Sequence, residues 1–203
     1  MSSARIPRIT LYTLEEYFAI ERVGMSRYEY WDGEIICMSG GSFAHSTISG
    51  NVFLLLANHL KEKRKQCRPF TADQPIKVPS LPPYRYADAS VVCGDIQGEK
   101  VSGFDTLVNP TILVEVLSPD SVDHDLNVKR RAYQEIPSLR EYVVIAQESP
   151  TVTLFTRTDD GNWQMYIISG LENSFELASI EGRFALTDIF EGVEFPPVES
   201  ASS

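Results

Sequence analysis

Residues 111–117 of the chain read TILVEVL, an almost wholly apolar run that is interrupted by one carboxylate, Glu115. A continuous apolar run of this length predicts a central β-strand that is covered on both faces of its sheet. Because strand side chains alternate between faces, Glu115 is expected to share a face with Leu113 and Leu117. An ionised carboxylate among such neighbours is costly unless it is paired or binds a cation.

A second predicted strand carries a second carboxylate. Residues 84–93, YRYADASVVC, predict a strand that contains Asp88. Two carboxylates on adjacent strands would suit Mg²⁺ (or Mn²⁺), because hard cations prefer oxygen ligands and keep several waters. The alternative for each carboxylate is a solvated or salt-bridged place at a strand end. For Asp88 and Glu115 together, both interpretations stay open.

A helix is predicted over residues 123–135, and Pro137 ends it. Asp125, Lys129 and Tyr133 follow one another at four-residue spacing, so they line one face of this helix. The connection from the TILVEVL strand is short, which would bring Lys129 back to the carboxyl end of that strand. A cation there can position an attacking water or stabilise charge on a phosphate. The alternative is an ordinary surface ion pair between Asp125 and Lys129.

The first third of the chain holds two further candidates. Glu29 lies in residues 28–37, which predict two short strands around a tight turn, and it is a possible additional metal ligand. His45 lies near the start of a long helix predicted over residues 42–66, where it would contact a phosphate or a water. A lone histidine near a helix start is more often structural.

Composition predicts one globular domain over residues 1–203, since the chain has 203 residues of which 43% are hydrophobic. The formal net charge is −10, and residues 148–203 hold ten acidic residues against two basic ones. Basic clusters lie within residues 61–68 and at residues 129–131. This distribution permits nucleic-acid binding without indicating it, and a solvated helix face is the commoner role of such clusters.

The sequence also predicts where the protein works. No apolar signal core and no run of about 18 apolar residues is present, so a cytoplasmic protein without a membrane-spanning helix is expected. Cys37, Cys67 and Cys93 are odd in number and far apart in the sequence. They predict reduced thiols.

Taken in order, these segments resemble the PD-(D/E)XK nuclease superfamily, which has the restriction-endonuclease-like fold, and more narrowly the bacterial Uma-type endonucleases. The resemblance covers residues 13–170 and depends on the ordered set, since no one segment is specific. The segments that carry it are residues 28–34 (YEYWDGE), 44–45 (AH), 87–92 (ADASVV), 113–119 (LVEVLSP), 125–129 (DLNVK) with Tyr133, and 141–144 (EYVV).

The resemblance implies an α/β fold in which helices flank a central mixed β-sheet. Extra β-strands would follow in an acidic C-terminal extension, residues 171–203. Two positions depart from the superfamily pattern: Ala87 stands where the motif has proline, and Leu117 stands where it has lysine. The Uma-type pattern places that lysine on the next helix, where Lys129 stands.

By the same resemblance, Asp88 and Glu115 bind a divalent metal, Glu29 is an additional acidic site residue, and Lys129 serves the attacking water. His45, Asp125 and Tyr133 are second-rank site candidates.

The predicted function is Mg²⁺-dependent (or Mn²⁺-dependent) hydrolysis of phosphodiester bonds in a nucleic acid, with DNA expected and a homodimer as the default assembly. One alternative is a catalytically inactive scaffold that uses the fold for protein interaction or oligomerisation. The acidic C-terminal region and the absence of an obvious sequence-reading element support it. A second alternative is a metal-dependent hydrolase of a small phosphoester, which would share the site and ignore polymers.

Overall fold

The computed structural model describes residues 11–23, 27–31, 33–37, 41–63, 66–79, 84–117 and 125–196. Contacts within the chain divide it into two compact units, Met1–Gly40 and Gly41–Ser203. The expectation of a single domain over residues 1–203 stays a prediction.

The first unit contains one helix and one hairpin: α1 (Leu14–Val23), β1 (Tyr28–Trp31) and β2 (Glu34–Cys37). Thr13 begins the helix, because its Oγ1 accepts a hydrogen bond from the N–H of Glu16 while the Glu16 carboxylate accepts one from the N–H of Thr13. The turn between the strands passes through Gly33 at φ +94°, a left-handed conformation that favours glycine. The strands predicted over residues 28–37 are confirmed.

The second unit contains α2 (Phe43–Glu62), β3 (Cys67–Thr71), β4 (Ile76–Lys77), β5 (Tyr84–Arg85), β6 (Ala89–Cys93), β7 (Gly98–Val101), β8 (Phe104–Leu107), β9 (Ile112–Leu117), a π-helical turn (Asp125–Lys129), α3 (Arg130–Gln134), β10 (Glu141–Ala146), β11 (Thr151–Arg157), β12 (Trp163–Ser169), β13 (Ser174–Leu177), a 3₁₀ turn (Ala178–Ile180), β14 (Gly182–Ala185) and α4 (Leu186–Ile189). Six strands form its main sheet, in the order β12-β11-β10-β9-β6-β3. β9 and β10 pair in parallel and the other neighbours pair antiparallel, so the sheet is mixed, as predicted.

Strand β9 is buried along its whole length because both faces of the sheet are covered. On one face, Val114 and Val116 pack in a cluster with the apolar stripe of α2. On the other face, Leu113 and Leu117 pack in a cluster with residues of α3 and the segment after it. Burying a side chain of this size stabilises the fold by about 1.5–3 kcal/mol. The covered central strand predicted from TILVEVL is confirmed.

Helix α2 is the long helix predicted over residues 42–66. Its buried side chains recur every four residues and form one stripe, Ile48, Val52, Leu56 and Leu60. It is the longest described helix, with 20 residues. Within the described ranges, no helix is long and apolar enough to cross a membrane.

The strand predicted over residues 84–93 is instead two strands in different sheets. β5 belongs to a four-stranded sheet of order β5-β4-β8-β7, which the sequence did not predict, whereas β6 joins the main sheet. The break falls at Asp88, whose Oδ2 accepts a hydrogen bond from the N–H of Val116 at 2.7 Å. If the backbone ladder continued past Ala89, a backbone carbonyl would accept the hydrogen bond from the N–H of Val116. The Asp88 carboxylate accepts it instead, so the β6–β9 ladder does not extend to Asp88.

The C-terminal elements are part of the core of the second unit. β13 and β14 form an antiparallel hairpin, and α4 follows it. Phe175, Phe184 and Ile189 are buried in the same cluster as the apolar stripe of α2. The extra C-terminal strands are therefore confirmed, and they help to cover one face of the main sheet.

Cys67 and Cys93 form a disulfide bond that joins β3 to β6. The two residues are direct partners in the antiparallel register, so strand pairing brings together thiols that are 26 residues apart in the sequence. The prediction of reduced thiols is therefore wrong for this pair. Cys37 is exposed and takes no part in the bond.

Candidate active site

Asp88 directly precedes β6, and Glu115 lies in β9, the strand that pairs with β6. The antiparallel register pairs Ala89 with Val114, so the next position along the ladder sets Asp88 against Glu115. The bond from the N–H of Val116 to the Asp88 carboxylate holds that side chain beside β9. Strand register thus brings together two carboxylates that are far apart in the sequence.

The buried charge of Glu115 is compensated by a lysine and a tyrosine. Lys129 Nζ lies 3.3 Å from Glu115 Oε1 and 3.4 Å from Oε2. The Tyr133 hydroxyl lies 3.0 Å from the same Oε1. The side chains of Lys129 and Glu115 are only 4% and 5% exposed. An ion pair so far removed from water needs such additional hydrogen bonds to offset its desolvation.

Lys129 and Tyr133 also share a backbone acceptor. The carbonyl oxygen of Tyr86 lies 3.3 Å from Lys129 Nζ and 3.1 Å from the Tyr133 hydroxyl. Tyr86 lies two residues before Asp88, in the segment between β5 and β6. The network therefore joins the segments that carry Asp88, Glu115 and Lys129.

Lys129 ends the π-helical turn, and α3 follows it directly. A π-helical turn closes its hydrogen bonds over five residues in place of four, and such turns often occur at functional sites. Lys129 and Tyr133 both reach Glu115 across this junction. The prediction that they share one helix face is confirmed. The side chain of Asp125 lies outside the part of the chain that the structure describes.

His45 lies in the first turn of α2, and its Nε2 is 3.3 Å from Asp88 Oδ1. Ser42 caps this helix: its Oγ accepts a hydrogen bond from the N–H of His45 at 3.0 Å and donates one to Oε1 of Gln147 at 2.8 Å. Gln147 directly follows β10, and its N–H donates to the carbonyl of Leu117 at the end of β9. His45 is thereby anchored to the carboxyl ends of the two parallel strands.

The surroundings of His45 raise the pKa of its imidazole. The largest cause is the hydrogen bond to Asp88; the Asp88 charge and the backbone of Val116 also raise the pKa. Burial and the charge of Lys129 lower it, but they are outweighed. The imidazolium form is therefore favoured beside the Asp88 carboxylate.

Glu29, the remaining predicted ligand, belongs to the first unit. It lies in β1, where it is buried and where its Oε2 accepts a hydrogen bond from Nε1 of Trp31 at 3.0 Å. Its role as a further metal ligand stays a prediction.

Ser42 and Gln147 are site residues that sequence reasoning missed. A serine directly before a predicted helix is a capping signal, so Ser42 could have been found. Gln147 carries no such signal, because its bond to Ser42 spans 105 residues.

The side chains of the site suit a hard divalent cation. Asp88 and Glu115 offer carboxylate oxygens from adjacent strands, the ligand type that Mg²⁺ prefers, and Mg²⁺ often binds one or two carboxylates and keeps several waters. Among the described residues, no three His, Cys, Asp or Glu side chains form a preassembled metal cluster. The fit to a hard cation therefore depends on the carboxylate oxygens of Asp88 and Glu115.

The mixed sheet with its flanking helices has the restriction-endonuclease-like class of fold. A solved structure described as "a putative nuclease belonging to DUF820" from Anabaena variabilis is similar to this chain, with a TM-score of 0.64 and 17% sequence identity. The likeness covers 82% of this chain and 91% of that one.

The chain belongs to the Uma2 family, described as "Putative restriction endonuclease", whose model matches residues 14–187. It is 34% identical over 193 residues to the uncharacterized protein slr1290 of Synechocystis sp., which covers 95% of this chain and 97% of that protein. It is 28% identical over 172 residues to the uncharacterized protein sll1609 of the same organism, a match that covers 85% of this chain and 93% of that protein. The family resemblance stated from the sequence is confirmed.

Proposed function

We propose that this chain is a metal-dependent nuclease that hydrolyses phosphodiester bonds in DNA. The observation that most supports this function is the placement of Asp88 opposite Glu115 with Lys129 bound to the Glu115 carboxylate. A fold by itself does not establish an activity, so the proposal depends on this site. Membership of a family described as a restriction endonuclease gives it further support.

Asp88 and Glu115 would hold Mg²⁺ or Mn²⁺, with Glu29 as a further carboxylate. A bound divalent cation lowers the pKa of a water and polarises a phosphate oxygen. Lys129 positions the attacking water or stabilises the negative charge that develops on the phosphate, because its ammonium group is held beside Glu115. Tyr133 keeps the Glu115 carboxylate in its orientation.

Substrate binding has to overcome the net charge of −10. Next to Lys129, Arg131 is exposed and is suitably placed to contact a phosphate of the DNA backbone. Arg130 is committed to the fold, since its Nε donates to the carbonyl of Leu126 and its guanidinium group lies over the ring of Phe155. We therefore expect affinity for DNA to decrease steeply as salt increases. A cytoplasmic location and a homodimer, which would cut both strands, are retained as predictions.

The test is nicking of supercoiled plasmid by the pure protein at low salt with Mg²⁺ or Mn²⁺. The variants Glu115→Gln and Lys129→Met keep the side-chain size while each removes one charge. Glu99→Gln and Lys100→Met are matched controls, because these two residues form exposed ion pairs with Lys77 and Asp105. Nicking that requires metal, is lost in both site variants and survives in both controls supports the proposal.

Two other results would replace this proposal. Equal inactivity of all proteins on plasmid and linear nucleic acids, with no metal binding, would favour the inactive scaffold. Cleavage of mononucleotide analogues, without cleavage of polymers and with little salt dependence, would favour a hydrolase of small phosphoesters. Nicking that survives in both site variants would place the activity elsewhere.

A further inference from the structure

The proposed nuclease mechanism assigns no role to His45, although this residue lies against Asp88, one of the two carboxylates of the site. Its Nε2 is 3.3 Å from Asp88 Oδ1, and its side chain is 25% exposed, so the ring is neither sealed in the core nor fully in solvent. His45 lies in α2, and Asp88 lies between β5 and β6. The two residues are more than 40 positions apart in the sequence.

The two atoms are hydrogen-bonded in the structure, and once Nε2 releases its proton their spacing also suits adjacent ligands on one ion. Protein nitrogen and oxygen ligands lie about 2.0–2.2 Å from small divalent cations, so two neighbouring ligand atoms at right angles are about 3 Å apart. The pair formed by Nε2 and Oδ1 is already close to that separation.

The orientation of His45 is set before any ligand binds. Ser42 holds the backbone of His45 and is itself held by Gln147 at the end of β10. The other ring nitrogen, Nδ1, packs so closely on Gly41 that a Cβ at position 41 would lie 3.1 Å from it. These contacts restrict the ring in advance, which lowers the entropic cost of ordering it on binding.

We propose that His45 is a ligand of the same divalent cation as Asp88, and that its imidazole makes the site prefer Mn²⁺ or Co²⁺ to Mg²⁺. The proposal rests on the metal site of the proposed function and adds a nitrogen to its carboxylate ligands. Imidazole nitrogen is a good ligand for transition metals, whereas Mg²⁺ is best served by oxygen alone. One nitrogen beside two carboxylates therefore shifts the preference of the site toward the transition metals.

The test measures metal binding itself. The Kd values of Mn²⁺ and Mg²⁺ are determined by calorimetry for the wild type, His45→Gln and Glu115→Gln, and pulsed electron paramagnetic resonance of bound Mn²⁺ detects coupling to imidazole ¹⁴N. The chain has three histidines, so His59→Gln and His124→Gln are matched controls. His59 bonds the carbonyl of Ile180, at the opposite end of α2 from His45, and His124 lies outside the described residues.

We expect His45→Gln to weaken Mn²⁺ binding by at least about tenfold, to weaken Mg²⁺ binding less, and to abolish the ¹⁴N coupling. Both control variants should keep the wild-type values. His45→Asn, followed by circular dichroism, provides a second variant should His45→Gln fail to fold.

The possible failures are distinguishable. If the wild type binds Mn²⁺ and Glu115→Gln abolishes binding, but the ¹⁴N coupling and the affinity persist in His45→Gln, the inference about His45 is wrong and the metal site stands. Tighter Mn²⁺ binding by His45→Gln would also overturn it, because His45 would then compete with the ion for Asp88. If the wild type binds no Mn²⁺, the metal site and this inference both fail.

Discussion

Lys129 Nζ lies 3.3 Å from Glu115 Oε1 in the interior of the second unit, and this ion pair sits where the proposed chemistry takes place. Both side chains are at least 95% buried. Removing one member of such a pair leaves the other as an uncompensated buried charge. Variants at this pair therefore change stability as well as activity, and the two effects have to be measured separately.

Lys129→Met is expected to lower the free energy of unfolding by about 3–5 kcal/mol, because it removes the cation that compensates the buried Glu115 carboxylate. The double variant Lys129→Met/Glu115→Gln should recover much of that loss, since no buried charge remains. Urea unfolding of both single variants and the double variant measures the coupling. Lys100→Met, at an exposed ion pair, should change the value by less than about 1 kcal/mol. If the losses of unfolding free energy in the two single variants simply add in the double variant, the ion pair between Lys129 and Glu115 is contradicted.

Tyr133→Phe removes the hydroxyl that lies 3.0 Å from Glu115 Oε1 and 3.1 Å from the Tyr86 carbonyl. We expect a loss of about 1–3 kcal/mol in unfolding free energy, because the buried acceptors lose a donor while the ring still packs. Metal-dependent nicking should slow without being abolished, since Lys129 remains. Tyr166→Phe is the matched control, because the Tyr166 hydroxyl donates to Gln164 at an exposed position. Equal effects of the two substitutions would contradict the assignment.

The disulfide between Cys67 and Cys93 predicts how many thiols react. The native oxidised protein should present one thiol, Cys37, to a thiol reagent, and three after reduction and denaturation. Because the bond closes a loop of 26 residues, its removal in Cys67→Ser/Cys93→Ser should cost about 3–4 kcal/mol by the loop-entropy relation. Three reactive thiols in the unreduced, denatured protein would show that the bond does not form.

The raised pKa of His45 predicts a pH dependence of stability. A group whose pKa is higher in the folded state stabilises that state fully below its unfolded pKa, and the contribution is lost as pH rises through the folded pKa. The deficit in unfolding free energy of His45→Gln should therefore be larger at about pH 5.5 than at about pH 8.5. Denaturant unfolding at the two pH values measures it. A deficit that grows with pH would contradict the sign.

Glu141 is a buried carboxylate at the start of β10 that anchors the C-terminal region. Its Oε1 accepts hydrogen bonds from the N–H of Ala178 at 2.5 Å and of Ser179 at 3.4 Å, and the Ser179 hydroxyl donates to its Oε2. Burial raises the pKa of Glu141 despite these bonds. Folding therefore favours the protonated form of Glu141. The resulting contribution to the free energy of unfolding is lost as pH rises through the pKa of Glu141 in the folded protein.

Glu141→Gln does not titrate, so its unfolding free energy should improve relative to the wild type as pH rises from about 4 to about 7. The curves of unfolding free energy against pH for the two proteins test this. Parallel curves for Glu141→Gln and the wild type would contradict the raised pKa.

The sequence by itself determined the elements whose signal is local. The run TILVEVL predicts β9 because a strand covered on both faces is apolar along its length. The stripe of α2 and the spacing of Lys129 and Tyr133 follow from helical periodicity, which repeats within a few residues. The family pattern predicts one site from Asp88, Glu115 and Lys129. In the structure Lys129 is bonded to Glu115, and Asp88 is bonded to the backbone of Val116, the residue after Glu115.

Only the tertiary structure decided the features that depend on register between distant segments. Three such features join residues far apart in the chain: the bond from the N–H of Val116 to Asp88, the disulfide between Cys67 and Cys93, and the contact of His45 with Asp88. Local periodicity states which face of an element is buried but not which residue of another element it meets. That choice is made by the pairing of strands and the packing of α2 on the sheet, because a shift of one residue in register would send Asp88 and Glu115 to different neighbours.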